Sequence, residues 1–392
     1  MARKNSRREA GSGSITKRKD GRWQGQFVNG RDPNTGKLRR HTIYGRSQKE
    51  VAEKLRAATA SVDRGTFQEP SRMTLEEYAA EYMAHCAPLL APYTQKTYEI
   101  ALRNHILPEL GGVPLTKLDH RQVQAFVTYL SEGGKKLSAK SVRNIHGVLH
   151  SILEAAVRDE ILLKNVSDNC NLPRVTQKQI KAITSAELDR FLTAIQGAQF
   201  EYLFYLDIFS GLRQAEILGL CWENIDWDND CIHVRTQLQQ KQKKGDWSYY
   251  LAPPKEGKER RVVLAPSVMD VLHKQFRHQQ QLREIAGPVW ENEFNLVFTN
   301  EFGKPLSRKT VYKHLKKALR KCGLEDRTFH SLRHSFATIS LENGDDFKTV
   351  QTNLGHHSPA FTLKTYAHVS DHMQQRSADR MEQLIASMSN ES

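Results

Sequence analysis

His330-Ser331-Leu332-Arg333-His334 sets a histidine and an arginine three residues apart, about one helical turn, so that His330 and Arg333 face the same way. Three more polar clusters stand in apolar surroundings of the same C-terminal stretch. In Phe209-Ser210-Gly211-Leu212-Arg213-Gln214-Ala215-Glu216, Arg213 lies between apolar turns and Glu216 shares its helix face. Taken singly, that pair reads as structural. Pro253-Pro254-Lys255-Glu256-Gly257-Lys258 lies between two strand-like runs and reads as a hairpin turn, where a lysine is ordinarily just solvated. Leu354-Gly355-His356 is followed ten residues later by Tyr366, within Leu363-Lys364-Thr365-Tyr366-Ala367-His368. A lone tyrosine there is ordinarily half-buried packing.

These clusters belong to a domain expected over 180–392. It opens at Thr184-x-x-Glu187 and is helical to about 220. Strand-like stretches follow near 231–238, 247–252 and 260–264, and the chain is mainly helical again from about 266. A basic linker, Pro173 to Ala182, precedes it. Over 73–172 the pattern is that of a four-helix bundle. Thr74-x-x-Glu77 opens the first helix, and the second, near 93–106, ends at Pro108. Asp119-x-x-Gln122 opens the third. Ser138 opens the fourth, with Val142, Ile145, Leu149, Ile152, Leu153 and Ala156 on one face. Lys96, Arg103, Lys135, Lys136, Lys140 and Arg143 lie on the polar faces, where charges are ordinarily just solvated.

A smaller module is expected over 1–65. Residues 1–13 read as a mobile arm. Trp23 to Val28 and Leu38 to Tyr44 read as strands, separated by the turn signal Asp32-Pro33-Asn34-Thr35-Gly36, and a capping box of Ser47 and Glu50 opens a helix to Val62. Gly65 to Arg72 is a linker. The expected fold class is multidomain α+β: a small three-stranded sheet plus helix, a four-helix bundle, and a mainly α domain with a small antiparallel sheet.

Charge follows the same division. The 392 residues carry a net +14, with 39% hydrophobic and 26% charged residues, ordinary for a globular chain. Residues 1–65 hold 17 Lys/Arg against 6 Asp/Glu, whereas the remaining 327 hold 41 against 38. A basic, patterned head on a nearly neutral body points to a polyanion-binding module rather than a solubility tail. No run approaches the roughly 18 apolar residues of a membrane span, and the N-terminus lacks an apolar signal core, so no membrane partner and a cytosolic location are expected. Five widely spaced cysteines without C-x-x-C argue against a disulfide framework or a cysteine-based zinc site. The phosphate-loop, H-E-x-x-H, G-x-S-x-G and G-x-G-x-x-G patterns are absent, so neither bound ATP nor zinc is indicated. No cofactor and no metal are expected.

Together, Arg213, Lys255, His330-x-x-Arg333, His356 and Tyr366 resemble the catalytic set of the tyrosine recombinases, the phage-integrase family. The resemblance covers 180–392. The segment 73–172 resembles that family's core-binding domain, and residues 14–65, less specifically, the arm-binding domain of prophage and integrative-element integrases.

The resemblance implies a metal-free mechanism. Arg213 and Arg333 would neutralise the non-bridging phosphate oxygens with planar, permanently charged forks. Tyr366 would attack in line and leave a 3′-phosphotyrosine, which conserves the bond energy for rejoining without ATP. Lys255 would protonate the departing 5′-oxygen, although sequence alone does not separate it from Lys258. His330 and His356 would donate to the phosphate or assist proton transfer, and Glu216 would support Arg213. Candidate DNA contacts are Lys17, Arg18, Lys19, Arg22, Arg39 and Arg40 in the head and Lys96, Lys140 and Arg143 on the bundle. The implied partners are double-stranded DNA with core and arm sites, three further copies of the chain in a tetramer on DNA, and an accessory excision factor or host DNA-bending factor. An amphipathic tail at Met373 to Met388 is weighed equally as packing on its own domain and as docking on a neighbour.

The implied function is a site-specific recombinase that integrates and excises a mobile element. The alternatives are a chromosome-dimer-resolving recombinase or type IB topoisomerase, and a non-catalytic, integrase-derived DNA-binding regulator. The basic head argues against dimer resolution, and the intact six-residue set against the regulator.

Overall fold

In the computed structural model, residues 13–31, 35–64, 67, 72–134, 136–176, 181–241 and 248–355 are described, with positions 378, 379, 381, 382, 385 and 388 of the tail. Residues 1–12 of the expected arm, the Asp32–Asn34 part of the first turn, most of the 65–72 linker, Lys135, part of the basic linker, His356, Tyr366 and most of the Met373–Met388 tail lie outside them. Two compact units divide the chain, Met1–Thr176 and Gln177–Ser392.

In the first unit, β1 (Ser14–Lys17), β2 (Trp23–Arg31) and β3 (Leu38–Gly45) form an antiparallel sheet in that order, with helix α1 (Gln48–Asp63) packed on it. Phe27, Val51 and Leu55 are buried between them. Gly25 permits this approach, because a Cβ there would stand 2.8 Å from a Val51 methyl carbon. Ser47 caps α1 by accepting the Glu50 N–H at 3.1 Å. The expected capping box is not closed, because the Glu50 carboxylate takes the Arg46 N–H instead.

Helices α2 (Leu75–His85), α3 (Pro92–Ala101), α4 (Leu107–Leu110), α5 (His120–Glu132) and α6 (Ala139–Arg158) build the bundle. Thr74–Glu77 and Asp119–Gln122 form reciprocal capping boxes, and Ser138 caps α6. All six residues expected on the inner face of α6 are buried. Each large aliphatic among them contributes roughly 1.5–3 kcal/mol by leaving water.

The expected stop at Pro108 is corrected. Residues Leu102–Ile106 form a π-helical turn and the chain continues helically to Leu110. The wider turn, in which the Leu107 N–H reaches the Leu102 carbonyl, shifts the hydrogen-bond register where the proline lacks a donor.

The second unit begins with α7 (Ser185–Ile195), α8 (Glu201–Ser210) and the short α9 (Gln214–Leu218). Strands β4 (Ile225–Asp226), β5 (Cys231–Val234), β6 (Gln237–Gln240), β7 (Tyr249–Ala252) and β8 (Arg260–Val263) follow, then α10 (Pro266–Ala286), α11 (Arg308–Lys321), α12 (Phe329–Glu342) and α13 (Phe347–Leu354). Its core joins Phe191, Leu203, Phe204, Ile217, Leu272 and Leu332, among others, across these elements.

Two strand expectations change. The run near 231–238 is two strands that enter different sheets. The sheets are ordered β4-β5-β8 and β6-β7, so β7 and β8 are not partners. Lys255 therefore sits on a one-turn 3-10 helix, Lys255–Gly257, linking two sheets, rather than in a hairpin. Edge pairing is decided by partners distant in sequence, which local alternation does not reveal. None of the five cysteines forms a disulfide, and among the described residues no helix is long and apolar enough to cross a membrane.

Candidate active site

Arg213 stands where α8 turns into α9. The turn uses Gly211 at φ 63°, in the left-handed region, and a Cβ there would come within 2.5 Å of the Phe336 ring. Both the backbone and the space at this elbow therefore require glycine. One turn into α9, Glu216 folds back. Its carboxylate accepts the Arg213 backbone N–H at 2.9 Å and Arg213 Nη1 at 2.7 Å. Glu216, expected from the sequence as the support of Arg213, is therefore in direct contact with it.

A second cation completes the arrangement. Arg260 of β8 donates to Glu216 from Nη1 at 3.1 Å and Nη2 at 2.7 Å, and its Nε donates to the Asn353 carbonyl at 2.7 Å. Burial of Glu216 disfavours its charge, but the forks of Arg260 and Arg213 outweigh it and hold the carboxyl down to about 2. Arg260 was missed by the sequence reading. The available signal was the pair Arg260-Arg261 in a strand, where alternation sends one of two neighbours inward.

Arg333, on α12, is 2% exposed. Its Nη1 donates to the Gly211 carbonyl at 2.8 Å and its Nη2 to the Leu354 carbonyl. Arg213 Nη2 donates to the adjacent Gly355 carbonyl at 3.1 Å. Both arginines are thus fastened to the end of α13, immediately before His356, and Arg333 also to the α8 elbow.

His330, one turn before Arg333, packs edge-on against His334 with ring centroids 4.6 Å apart. Loss of hydration, then the charges of Arg333 and Arg213, holds the His330 imidazole below its ordinary value. Burial and the same neighbourhood push His334 down to about 4. Neutral imidazole is thereby favoured, which can either donate or accept. Below the elbow, Asp207 is fully buried on α8, and neither carboxylate oxygen has a hydrogen-bond partner among the described residues. Burial raises its carboxyl well above the usual range, against the opposing pull of Arg333. It too was missed, although an aspartate within Glu201–Ser210 (EYLFYLDIFS) is a visible anomaly.

Lys255 and Lys258 are exposed, while His356 and Tyr366 lie outside the described residues. In the sheet of the first unit, Lys17 lies 6.0 Å from the Trp23 ring and Arg18 5.4 Å from the Tyr44 ring. Arg18 and Arg22 both pair with Asp20. Lys19, Arg39 and Arg40 are exposed. Being adjacent in a strand, Arg39 and Arg40 point to opposite faces, and Arg40 pairs in register with Val28, out of step with the helix-facing Phe27. On the bundle, Lys96 pairs with Glu99 at 3.2 Å and Arg143 donates to the Pro173 carbonyl at 2.9 Å, while Lys140 is exposed.

The model of the phage integrase family matches residues 173–373, just over half the chain and all of the site above. The chain belongs to the phage integrase family. A second family model, the N-terminal SAM-like domain of phage integrases, matches residues 74–131. Among relatives, the chain is 30% identical over 356 residues to a XerC-like tyrosine recombinase of Caldanaerobacter subterraneus subsp. tengcongensis, covering 87% of this chain and 90% of that protein. It is 25% identical to the ICEBs1 integrase of Bacillus subtilis, covering 95% of this chain and all of the relative. The solved structure of the Tn1549 transposon integrase in complex with transposon right end DNA superimposes with a TM-score of 0.66 at 23% identity, covering 79% of this chain and all of that one. That last likeness speaks for the fold. As a phage-integrase family member the protein is a tyrosine recombinase, an enzyme of site-specific DNA recombination and a DNA strand transferase.

Proposed function

We propose that this recombinase integrates and excises a mobile element by cutting and rejoining DNA through a 3′-phosphotyrosine at Tyr366. The observation that carries the reading is the anchoring of both Arg213 and Arg333 on the carbonyls of Leu354 and Gly355, next to His356. Two permanent positive charges held on one rigid framework suit the two non-bridging oxygens of a phosphodiester. The Tyr366 oxygen attacks phosphorus as its hydroxyl proton passes to His330 or His356, the bond to the 5′-oxygen breaks, and that oxygen takes a proton from Lys255. Rejoining is the reverse, with a 5′-hydroxyl displacing the tyrosine. His330 and His356 donate to the phosphate or assist proton transfer. Glu216 and Arg260 touch no DNA atom in this scheme; they position Arg213.

The division of labour we propose is arm-site binding by 1–65, core-site binding by 73–172 and catalysis by 180–392. Lys17, Arg18, Lys19, Arg22, Arg39 and Arg40 serve the arm site, and Lys96, Lys140 and Arg143 the core site. Four copies act on two duplexes, with an accessory excision factor or host DNA-bending factor as a further partner. The similarity to the ICEBs1 integrase, over 95% of this chain and all of that relative, supports the mobile-element role, as does the basic head. The XerC-like relative favours a second reading, chromosome-dimer resolution.

The test uses a nicked attachment site, which traps the covalent step. The parent should yield a denaturant-stable protein–DNA adduct, and Tyr366→Phe should bind the DNA equally and yield none. An adduct persisting in Tyr366→Phe would move the nucleophile elsewhere, for example to Tyr312. Integration of an element-end substrate, set against resolution of a tandem chromosomal site, separates the two biological roles.

A further inference from the structure

Asp226 and Cys231 are directly opposed across the β4–β5 pair, and His233 lies two residues beyond Cys231 on the same face. The turn between them is tight, with Asp230 at φ 47°. His233 Nε2 stands 3.9 Å from Asp226 Oδ2 and 4.0 Å from Cys231 Sγ, and the three donor atoms lie within 4.8 Å of one another. The cleavage scheme proposed above uses none of the three.

We propose that Asp226, Cys231 and His233 form a binding site for a zinc-class divalent cation. The donor set of one thiolate, one imidazole and one carboxylate suits a borderline-soft ion with tetrahedral preference, a water filling the fourth position. Bond lengths of about 2.3 Å to sulfur and about 2.0 Å to nitrogen place those two ligands about 3.5 Å apart in a tetrahedron. Closing from 4.0 Å needs side-chain movement of only a few tenths of an ångström.

The backbone is already committed, since all three positions sit in paired strands. Asn229 fixes the Asp226 carboxylate through its backbone N–H at 3.0 Å and its side-chain amide at 2.9 Å and 3.1 Å. Such outer contacts aim a ligand before the ion arrives.

One group competes. Arg261, opposite His233 on β8, donates from Nε to Cys231 Sγ at 3.0 Å. It already treats the sulfur as an acceptor, and its exposed side chain, whose Nη2 also donates to the Asn229 carbonyl at 3.4 Å, has water to swing into. On binding, the Cys231 thiol gives up its proton to solvent, a metal–sulfur bond forms, and Arg261 leaves. The ion then ties β4 to β5, whose partner β8 begins at Arg260. Scanning the sequence for C-x-x-C misses this arrangement, because strand pairing and not spacing assembles it.

The experiment uses the full chain, stripped with chelator, desalted and titrated with zinc chloride, with bound metal measured after gel filtration. One zinc per chain is expected, accompanied by proton release. Cobalt in its place should give a thiolate-to-cobalt charge-transfer band. His233→Gln and Cys231→Ser should each weaken binding at least about tenfold, and Arg261→Gln should tighten it about fivefold by removing a like charge. Because Cys231 is buried, His233→Gln on the accessible edge provides the independent variant. No zinc retained by the parent at micromolar concentration would overturn the proposal. So would undiminished zinc and an unchanged cobalt band in both ligand variants.

Discussion

Arg260 and Glu216, 44 residues apart, share two hydrogen bonds of 2.7 Å and 3.1 Å, and Glu216 carries Arg213 on the same carboxylate. The Arg213 guanidinium is thus held by a carboxylate that is itself held by a second guanidinium. The carboxylate is fully buried and the Arg260 side chain is 7% exposed. Removing either partner strands a charge rather than merely losing a contact.

Glu216→Ala is therefore expected to cost about 3–5 kcal/mol, the range for leaving a buried charge unpaired, read from urea unfolding. The depressed carboxyl of Glu216 adds a pH signature. Its stabilisation is present above the ordinary value of 4.5 and is lost as pH falls through about 2. The gap between parent and Glu216→Gln should therefore narrow steadily across that acid window; a gap independent of pH would show that the pair is not the source. Arg260→Lys, which keeps charge but loses the fork, should lower the cleavage rate while leaving core-site affinity within about twofold.

Asp207 behaves in the opposite sense. Its carboxyl is raised, so the folded state prefers the proton. Stability is then highest below the ordinary value of 3.8 and declines as pH rises towards the elevated folded value, because the unfolded chain ionises first. Asparagine has the same shape and no charge. Asp207→Asn should unfold about 2–6 °C higher than the parent at pH 7, with the advantage fading near pH 4. A variant less stable than the parent at pH 7 would mean that Asp207 is ionised and serves Arg333 as a counter-charge.

For Lys255 the expectation is chemical. An alkoxide needs a proton as it leaves, whereas a thiolate, with a thiol value of about 8.5, departs unassisted. Lys255→Ala should cut a normal phosphodiester slowly and a 5′-bridging phosphorothiolate almost as fast as the parent. Arg213→Ala should be slow on both substrates. Rescue of Lys258→Ala or His330→Ala in place of Lys255→Ala would reassign the acid.

Deleting residues 1–65 should spare cleavage of an isolated core site and weaken binding to separate arm sites. The slope of log affinity against log salt for a whole attachment site should flatten, since fewer counterions are released. An unchanged slope and affinity would reduce the basic head to a solubility element.

The sequence by itself determined what rests on contacts within a few residues. The caps at Thr74, Asp119 and Ser138 and the apolar face of α6 are written in residues three and four apart, and the helices begin and pack accordingly. The Arg213–Glu216 pair was legible for the same reason, and the family resemblance rested on residue types in a fixed order along the chain. Tertiary structure alone decided how strands pair. It split the 231–238 run between two sheets, put Lys255 on the link between them, and turned Arg260 inward to Glu216. It also faced Asp226 with Cys231 and His233. Each of these depends on which strand edge meets which, and a shift of one residue in pairing reverses every side chain, so the outcome is fixed by the packed core and not by local pattern.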